Sequence, residues 1–256
     1  MPGPYVQRDQ PEGVPPLELT GERTLPDVPE ENYWYRRHLA VYQWIAQRVA
    51  GREVVDMACG EGYGADVLAR RASGVVGVDA NPEAHEHARL RYRRPNLRFE
   101  RGLVETWEGK CDAVVFLQTI EHLHDPGAVL TRFRDLLRPG GELFVSTPNV
   151  LTLAPEGARR SDNPWHLREY RAEEFAGLLA AHFEAIELHG LYHARKLRAH
   201  DWALRLGWDR IHPRLGLTGV FYGWFTPAIS ARDFRLRAGG PAGLRNALDF
   251  VAACRP

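Results

Sequence analysis

The chain has 256 residues, 44% hydrophobic and 26% charged, with 33 basic residues against 33 acidic ones. That length and composition suit one packed domain with an elaboration, and the zero net charge argues against a nucleic-acid binder acting by bulk field. Membrane insertion is excluded too, because no run reaches the roughly 18–20 apolar residues that span a bilayer, and the N-terminus has no secretory h-region.

Residues 1–19 are rich in Pro and Gly and read as a loose arm. Residues 20–50 form an N-terminal lid, where Leu39, Tyr42, Ile45 and Val49 repeat at helical spacing. REVVDMACGEGYGADVLARRA is then a strand, a glycine turn and a helix, the opening of a βαβ unit. GVVGVDA is a second strand ending at Asp79, followed by a helix that opens at Pro82. NLRFERGLV and CDAVVFLQT are the third and fourth strands. DPGAVLTRFRDLLRPGG is an amphipathic helix, and GELFVSTPN is the fifth strand. RAEEFAGLLAAHF and EAIELHGLY supply another helix and a sixth strand, and ALDFVAACR a seventh. The alternation predicts an α/β fold, a mostly parallel Rossmann-like sheet, with the cofactor core at 51–193 and the last strand within 245–256. Residues 194–244 form an aromatic, Arg-rich insertion. In 195–237 there are nine basic residues against three acidic ones, a composition suited to sugar stacking, an anionic group or an oligomer contact. Three scattered cysteines, Cys59, Cys111 and Cys254, fit a reducing cytoplasm.

Gly60, Gly62 and Gly64 stand where the first strand meets its helix. Glycines there allow a sharp turn and let a ligand approach a helix N-terminus. Asp79 follows at the tip of the second strand, where a carboxylate accepts ribose hydroxyls. The pair predicts an adenosine ligand. A nicotinamide-dependent oxidoreductase satisfies the same turn, and Tyr192 with Lys196 has short-chain dehydrogenase spacing. That spacing falls at a strand end rather than within a helix, which makes it coincidence. A non-catalytic subunit retaining the cofactor fold is a further alternative.

With DMACGEGYG, Asp79, FLQTIEHLHDP and LLRPGGELFVSTPN in order, residues 20–190 resemble the class I S-adenosylmethionine-dependent methyltransferases. The resemblance implies a seven-stranded sheet with an antiparallel last strand, and S-adenosylmethionine (SAM) as cofactor. It places Asp56 at the methionine amino end, Ala58, Gly60 and Gly62 beneath the cofactor, and Asp79 with Ala80 at the ribose. Gln118 would line the methionine side. Ala58 replaces the first motif glycine. Leu103 stands where many relatives carry an adenine-binding acid, so backbone groups of Leu103 and Val104 would meet the adenine. Tyr33 and Arg37 would close over the methionine carboxylate. TGERTLPDVPEENYWYRRHLAVYQ, STPN and NPWHLREY further resemble bacterial polysaccharide-associated O-methyltransferases of the methylmannose polysaccharide type, a likeness that fades after Arg195. It implies a sugar hydroxyl as acceptor, on a small molecule or an oligosaccharide. A lipid, quinone or secondary-metabolite hydroxyl is the alternative.

Methyl transfer to a hydroxyl needs in-line positioning and removal of a proton, which suits histidine near neutral pH. Glu121 and His122 follow the fourth strand, and His166 lies in the loop after the fifth, both at the edge where open α/β sheets hold ligands. His124 shares the first of these loops. An acid–His cluster there could hold a divalent cation, as in ubiquinone-pathway relatives, but Gln118 replaces an acid used by some of them and a metal is not favoured. His85 and His87, beside arginines, read as solvated.

Overall fold

The computed structural model describes residues 12–18, 23–155 and 160–256. Helix α1 (Asn32–Arg48) precedes β1 (Glu53–Met57), α2 (Tyr63–Ala69), β2 (Gly74–Asp79), α3 (Pro82–Arg91), β3 (Leu97–Arg101) and β4 (Cys111–Leu117). Then follow α4 (Pro126–Leu136), β5 (Leu137–Pro148), α5 (Val150–Leu153), α6 (Ala172–Ala180) and β6 (Ala185–His193). The chain ends with α7 (Arg195–Arg205), α8 (Trp208–Arg214), α9 (Thr218–Phe225), β7 (Phe234–Ala238) and β8 (Asp249–Arg255).

One sheet runs in the order β3-β2-β1-β4-β5-β8-β6-β7. The pairs from β3 to β5 are parallel, and β8 lies antiparallel between β5 and β6. The predicted class and the antiparallel last strand are both present. The count of seven strands is corrected to eight: β7 adds an antiparallel edge to β6 from within the segment left unassigned as an insertion. The central strands are apolar on both faces, as helix-covered parallel strands must be. Val55, Val114 and Val145 face a core completed by Phe133 of α4 and Phe175 of α6. Their neighbours Val54, Val115 and Phe144 face the opposite core, with Ile45 of α1 and Leu68 of α2. This is the period of two expected of a strand. Strand order reverses between β1 and β4, so a crevice opens at their carboxyl ends, where such sheets bind ligands.

Two further expectations change. Within the arm, Val14 and Leu17 are buried, and the Pro15 carbonyl lies 2.7 Å from His87 Nδ1. His87 is therefore fully buried rather than solvated, with Nε2 3.2 Å from Glu61 Oε1. The rest of the arm, residues 1–11 and 19, lies outside the described residues.

Candidate active site

Past Met57 the backbone turns through Ala58, Gly60 and Gly62 with φ of 56°, 55° and 96°. A positive φ is costly for alanine, so the surrounding structure must hold Ala58 in place. Asp79 supplies part of that hold: its Oδ2 accepts from Gly60 N at 2.7 Å and its Oδ1 from Asn81 N at 2.9 Å. Glu61, fully buried, accepts from Tyr63 N at 3.1 Å and from the Tyr92 hydroxyl at 2.8 Å. Gly62 is a packing glycine as well, because a Cβ there would come within 2.8 Å of Ala88 Cβ.

The turn floors a cleft of about 350 Å³. Ala58, Gly60, Glu61, Asp79 and Asn81 line one end, and Leu117, Gln118, Thr119 and His122 the other. Tyr42 and Tyr63 wall it, and Tyr42 leads to Asp56 behind it through a 3.2 Å hydrogen bond from its hydroxyl to Oδ1. Asp56 Oδ2 is buried without a hydrogen-bond partner among the described residues. Burial pushes this carboxyl up to about 8, against the opposing hydrogen bond from Tyr42.

A second cavity of about 300 Å³ adjoins the first. Thr24, His38, Gln118 and His122 line both, so these four form the shared wall. Trp34, Arg37, Glu121, Asn163 and His166 are among the other residues that line the second cavity. Gln118 reaches the wall on a positive φ of 51°, with Nε2 donating to Ser146 Oγ at 2.9 Å. Enclosure by the surrounding chain pushes the His38 imidazole down to about 4, so it stays neutral near pH 7.

The structure brings the three predicted catalytic residues together. The Glu121 carbonyl accepts from Leu167 N and Arg168 N, at 2.9 and 3.1 Å, stapling the loop after β4 to the loop after β5. The His122 and His166 rings stand edge to face, 5.0 Å apart. His122 Nδ1 lies 3.0 Å from the Trp165 carbonyl. A carbonyl only accepts, so Nδ1 carries the proton and Nε2 is the basic nitrogen. For His166, Nδ1 faces Glu169 Oε1 at 2.7 Å and Nε2 faces Asn163 Nδ2 at 3.0 Å. Its basic nitrogen thus already accepts from an amide. Glu121 is buried, with Oε2 accepting from Thr147 Oγ1 at 3.1 Å, and burial pushes it up to about 8. Glu121, His122 and His166 offer one ligand atom each within 4.8 Å of one another, close enough to hold a divalent cation. His124 is exposed and lines neither cavity.

Other predicted residues are placed differently. Arg37 lines the second cavity but is held by Asp249, rather than standing as an open cation over the first. The Tyr33 hydroxyl lies 2.8 Å from His193 Nε2, and Tyr33 lines neither cavity. Ala80, Leu103 and Val104 also lie outside both walls, and the Leu103 carbonyl accepts from Thr106 N and Trp107 N, at 3.2 and 3.0 Å. Tyr192 lies in β6 while Lys196 belongs to α7, so the dehydrogenase spacing falls on two different elements. Thr24 and His38 were not singled out from the sequence. A lone histidine on a lid helix carries no local signal, and only its place in the lining of both cavities reveals it.

The chain is similar to known methyltransferases in sequence and in fold. Residues 33–199 match the family model described as a methyltransferase domain. A probable S-adenosylmethionine-dependent methyltransferase of Mycolicibacterium smegmatis is 40% identical over 250 residues, covering 94% of this chain and 96% of the relative. A ubiquinone biosynthesis O-methyltransferase of Albidiferax ferrireducens is 33% identical over 163 residues, covering 59% of this chain and 64% of that one. A solved SAM-dependent methyltransferase of Thermotoga maritima shares the fold, with a TM-score of 0.58 at 18% identity over 88% of this chain and 94% of its own. The chain belongs to the SAM-dependent methyltransferases.

Proposed function

We propose that the protein is an O-methyltransferase acting on a hydroxyl of a saccharide or glycoside. The observation that carries this reading is the pair of cavities meeting at one wall, with the basic nitrogen of His122 on a residue of that wall. SAM supplies an electrophilic methyl group; the chain must hold both partners in line and take one proton.

The first cleft suits SAM. The Asp79 carboxylate keeps lone pairs for two ribose hydroxyls beyond its backbone bonds. Asp56 Oδ2, buried and unpartnered among the described residues, is an acceptor for the methionine amine, directly or through water. A neutral His38 on the shared wall avoids setting a second cation against a sulfonium.

The second cavity suits a sugar. Trp34 offers an aromatic face for ring stacking, while Asn163, His166 and Glu121 offer hydrogen bonds to hydroxyls. His122, on the wall shared by both cavities, is the base we favour over His166, which lines only the second. The likeness to polysaccharide-associated enzymes in the N-terminal segment supports the same acceptor class.

A quinone or lipid hydroxyl is the second reading, favoured by the ubiquinone biosynthesis relative. A panel of mannosides, glucosides, rhamnosides and small phenols, assayed with methyl-labelled SAM, separates the two. Methyl ethers on glycosides support the proposal. Transfer to phenols with none to any glycoside overturns it and leaves the family assignment standing.

A further inference from the structure

Helices α7, α8 and α9 reach the core through Leu197 and Phe225. Between them His200 stacks on Phe221 and Phe225 at 6.0 and 4.8 Å. Their outer side is unlike the rest of the surface. Of the twelve large hydrophobic side chains exposed among the described residues, seven lie between Trp202 and Trp224. Trp202, Val220 and Trp224 are 64%, 75% and 72% exposed. A grouping of that kind marks an interaction surface rather than scattered exposure.

Charge says what kind of partner fits. From Arg195 to Phe225 there are six basic residues and two acidic ones, an excess of four in a chain whose total is zero. Asp201 is spent on His193, 2.7 Å away. Arg198, Arg205, Arg210 and Arg214 are exposed, and none has an ion-pair partner among the described residues. On α7, Arg198, Trp202, Arg205 and Leu206 follow helical spacing, so cation and apolar group share one stripe.

We propose that this outer face docks on an anionic lipid bilayer surface. A two-fold contact with a second copy would set the face against itself and bring eight guanidiniums together, which like-charge repulsion opposes. An anionic bilayer instead offers headgroups to the arginines and an acyl boundary to the aliphatic side chains, with tryptophan at its preferred depth. The docking is peripheral, since no helix among the described residues is long and apolar enough to cross a membrane.

The test is flotation of the full chain with phosphatidylcholine vesicles and with vesicles containing phosphatidylglycerol, at low and high salt. We expect roughly tenfold or stronger preference for the anionic vesicles, reduced by salt. The double variant W202E/W224E should abolish flotation, and R198Q/R205Q/R210Q/R214Q should remove the lipid preference. Thermal melting and S-adenosylhomocysteine (SAH) binding confirm that each variant folds. Absence of flotation with either vesicle overturns the proposal. So does light scattering that shows a dimer which W224E converts to monomer, because the face would then be a contact between copies. Equal flotation with both vesicles overturns the electrostatic half of the argument and with it the assignment to anionic lipid.

Discussion

Arg37 and Asp249, 212 residues apart, form a buried bidentate ion pair: Nε to Oδ2 at 2.7 Å and one terminal nitrogen to Oδ1 at 2.5 Å. The pair fastens the lid helix α1 to the first residue of β8, beside the second cavity. Truncating one partner strands a buried charge, so R37M should cost about 3–5 kcal/mol in chemical denaturation. The double variant R37M/D249L leaves no orphan charge and should recover much of that loss. If R37M were as stable as wild type and lost only cofactor affinity, Arg37 would be a cofactor ligand after all.

Asp56 links pH to stability and binding. Its folded value of about 8 lies above the usual carboxylate range, so the folded protein holds a proton that the unfolded chain gives up near pH 4. The stability this contributes is fully present below about pH 4 and is lost as pH rises through about 8. We expect the melting temperature of the ligand-free protein to fall from pH 5 to pH 8, and D56N to reduce that fall, the buried Glu121 carboxyl acting in the same direction. Binding of the amine end of SAH should ionise Asp56 at pH 7 and release a proton. Calorimetry in buffers of different ionisation enthalpy would register that release in wild type and not in D56N.

Gly64 tests the lid contact from the opposite side. A Cβ at this position would lie 2.1 Å from the Tyr42 ring. Gly64→Ala must push Tyr42 out of place, costing about 1–3 kcal/mol as overpacking does. Because Tyr42 lines the first cleft and donates to Asp56, SAH affinity should fall in the same variant. A fully stable G64A that binds SAH normally would show that α1 and α2 are less tightly packed than described.

The base makes a kinetic prediction. H122Q should lower kcat by about 10²-fold, within the range general bases supply, and leave SAH affinity unchanged. H166Q should act less on kcat and more on acceptor KM, since its basic nitrogen is engaged by Asn163. Activity that EDTA abolishes and Mg²⁺ restores, and that E121Q loses, would reassign the Glu121, His122 and His166 cluster to a metal.

The sheet and the glycine-turn cleft were legible because their signals are local. Strand periodicity, the Gly60–Gly64 turn and Asp79 lie within a few residues of the features they specify. What stayed hidden depends on distant chain. β7 is a short edge strand, Phe234–Ala238; its alternation of apolar residues with arginines is regular but only five residues long, inside a segment rich in arginine throughout. His87 sits among arginines on α3 and is buried only because Pro15 and Glu61 close over it. Arg37 looked available as an anion clamp, and its partner Asp249 lies at the opposite end of the sequence. His38 and His122 line the same two cavities from distant parts of the chain, a closeness that no spacing in the sequence records.

The most direct measurement is a crystal structure with SAH and a methyl glycoside bound together. The account predicts the adenosine end against Asp79, the sulfur at the wall of Thr24, His38, Gln118 and His122, and a sugar oxygen within hydrogen-bond reach of His122 Nε2. SAH bound with its sulfur turned away from that wall, or a glycoside bound outside the Trp34 cavity, would contradict it.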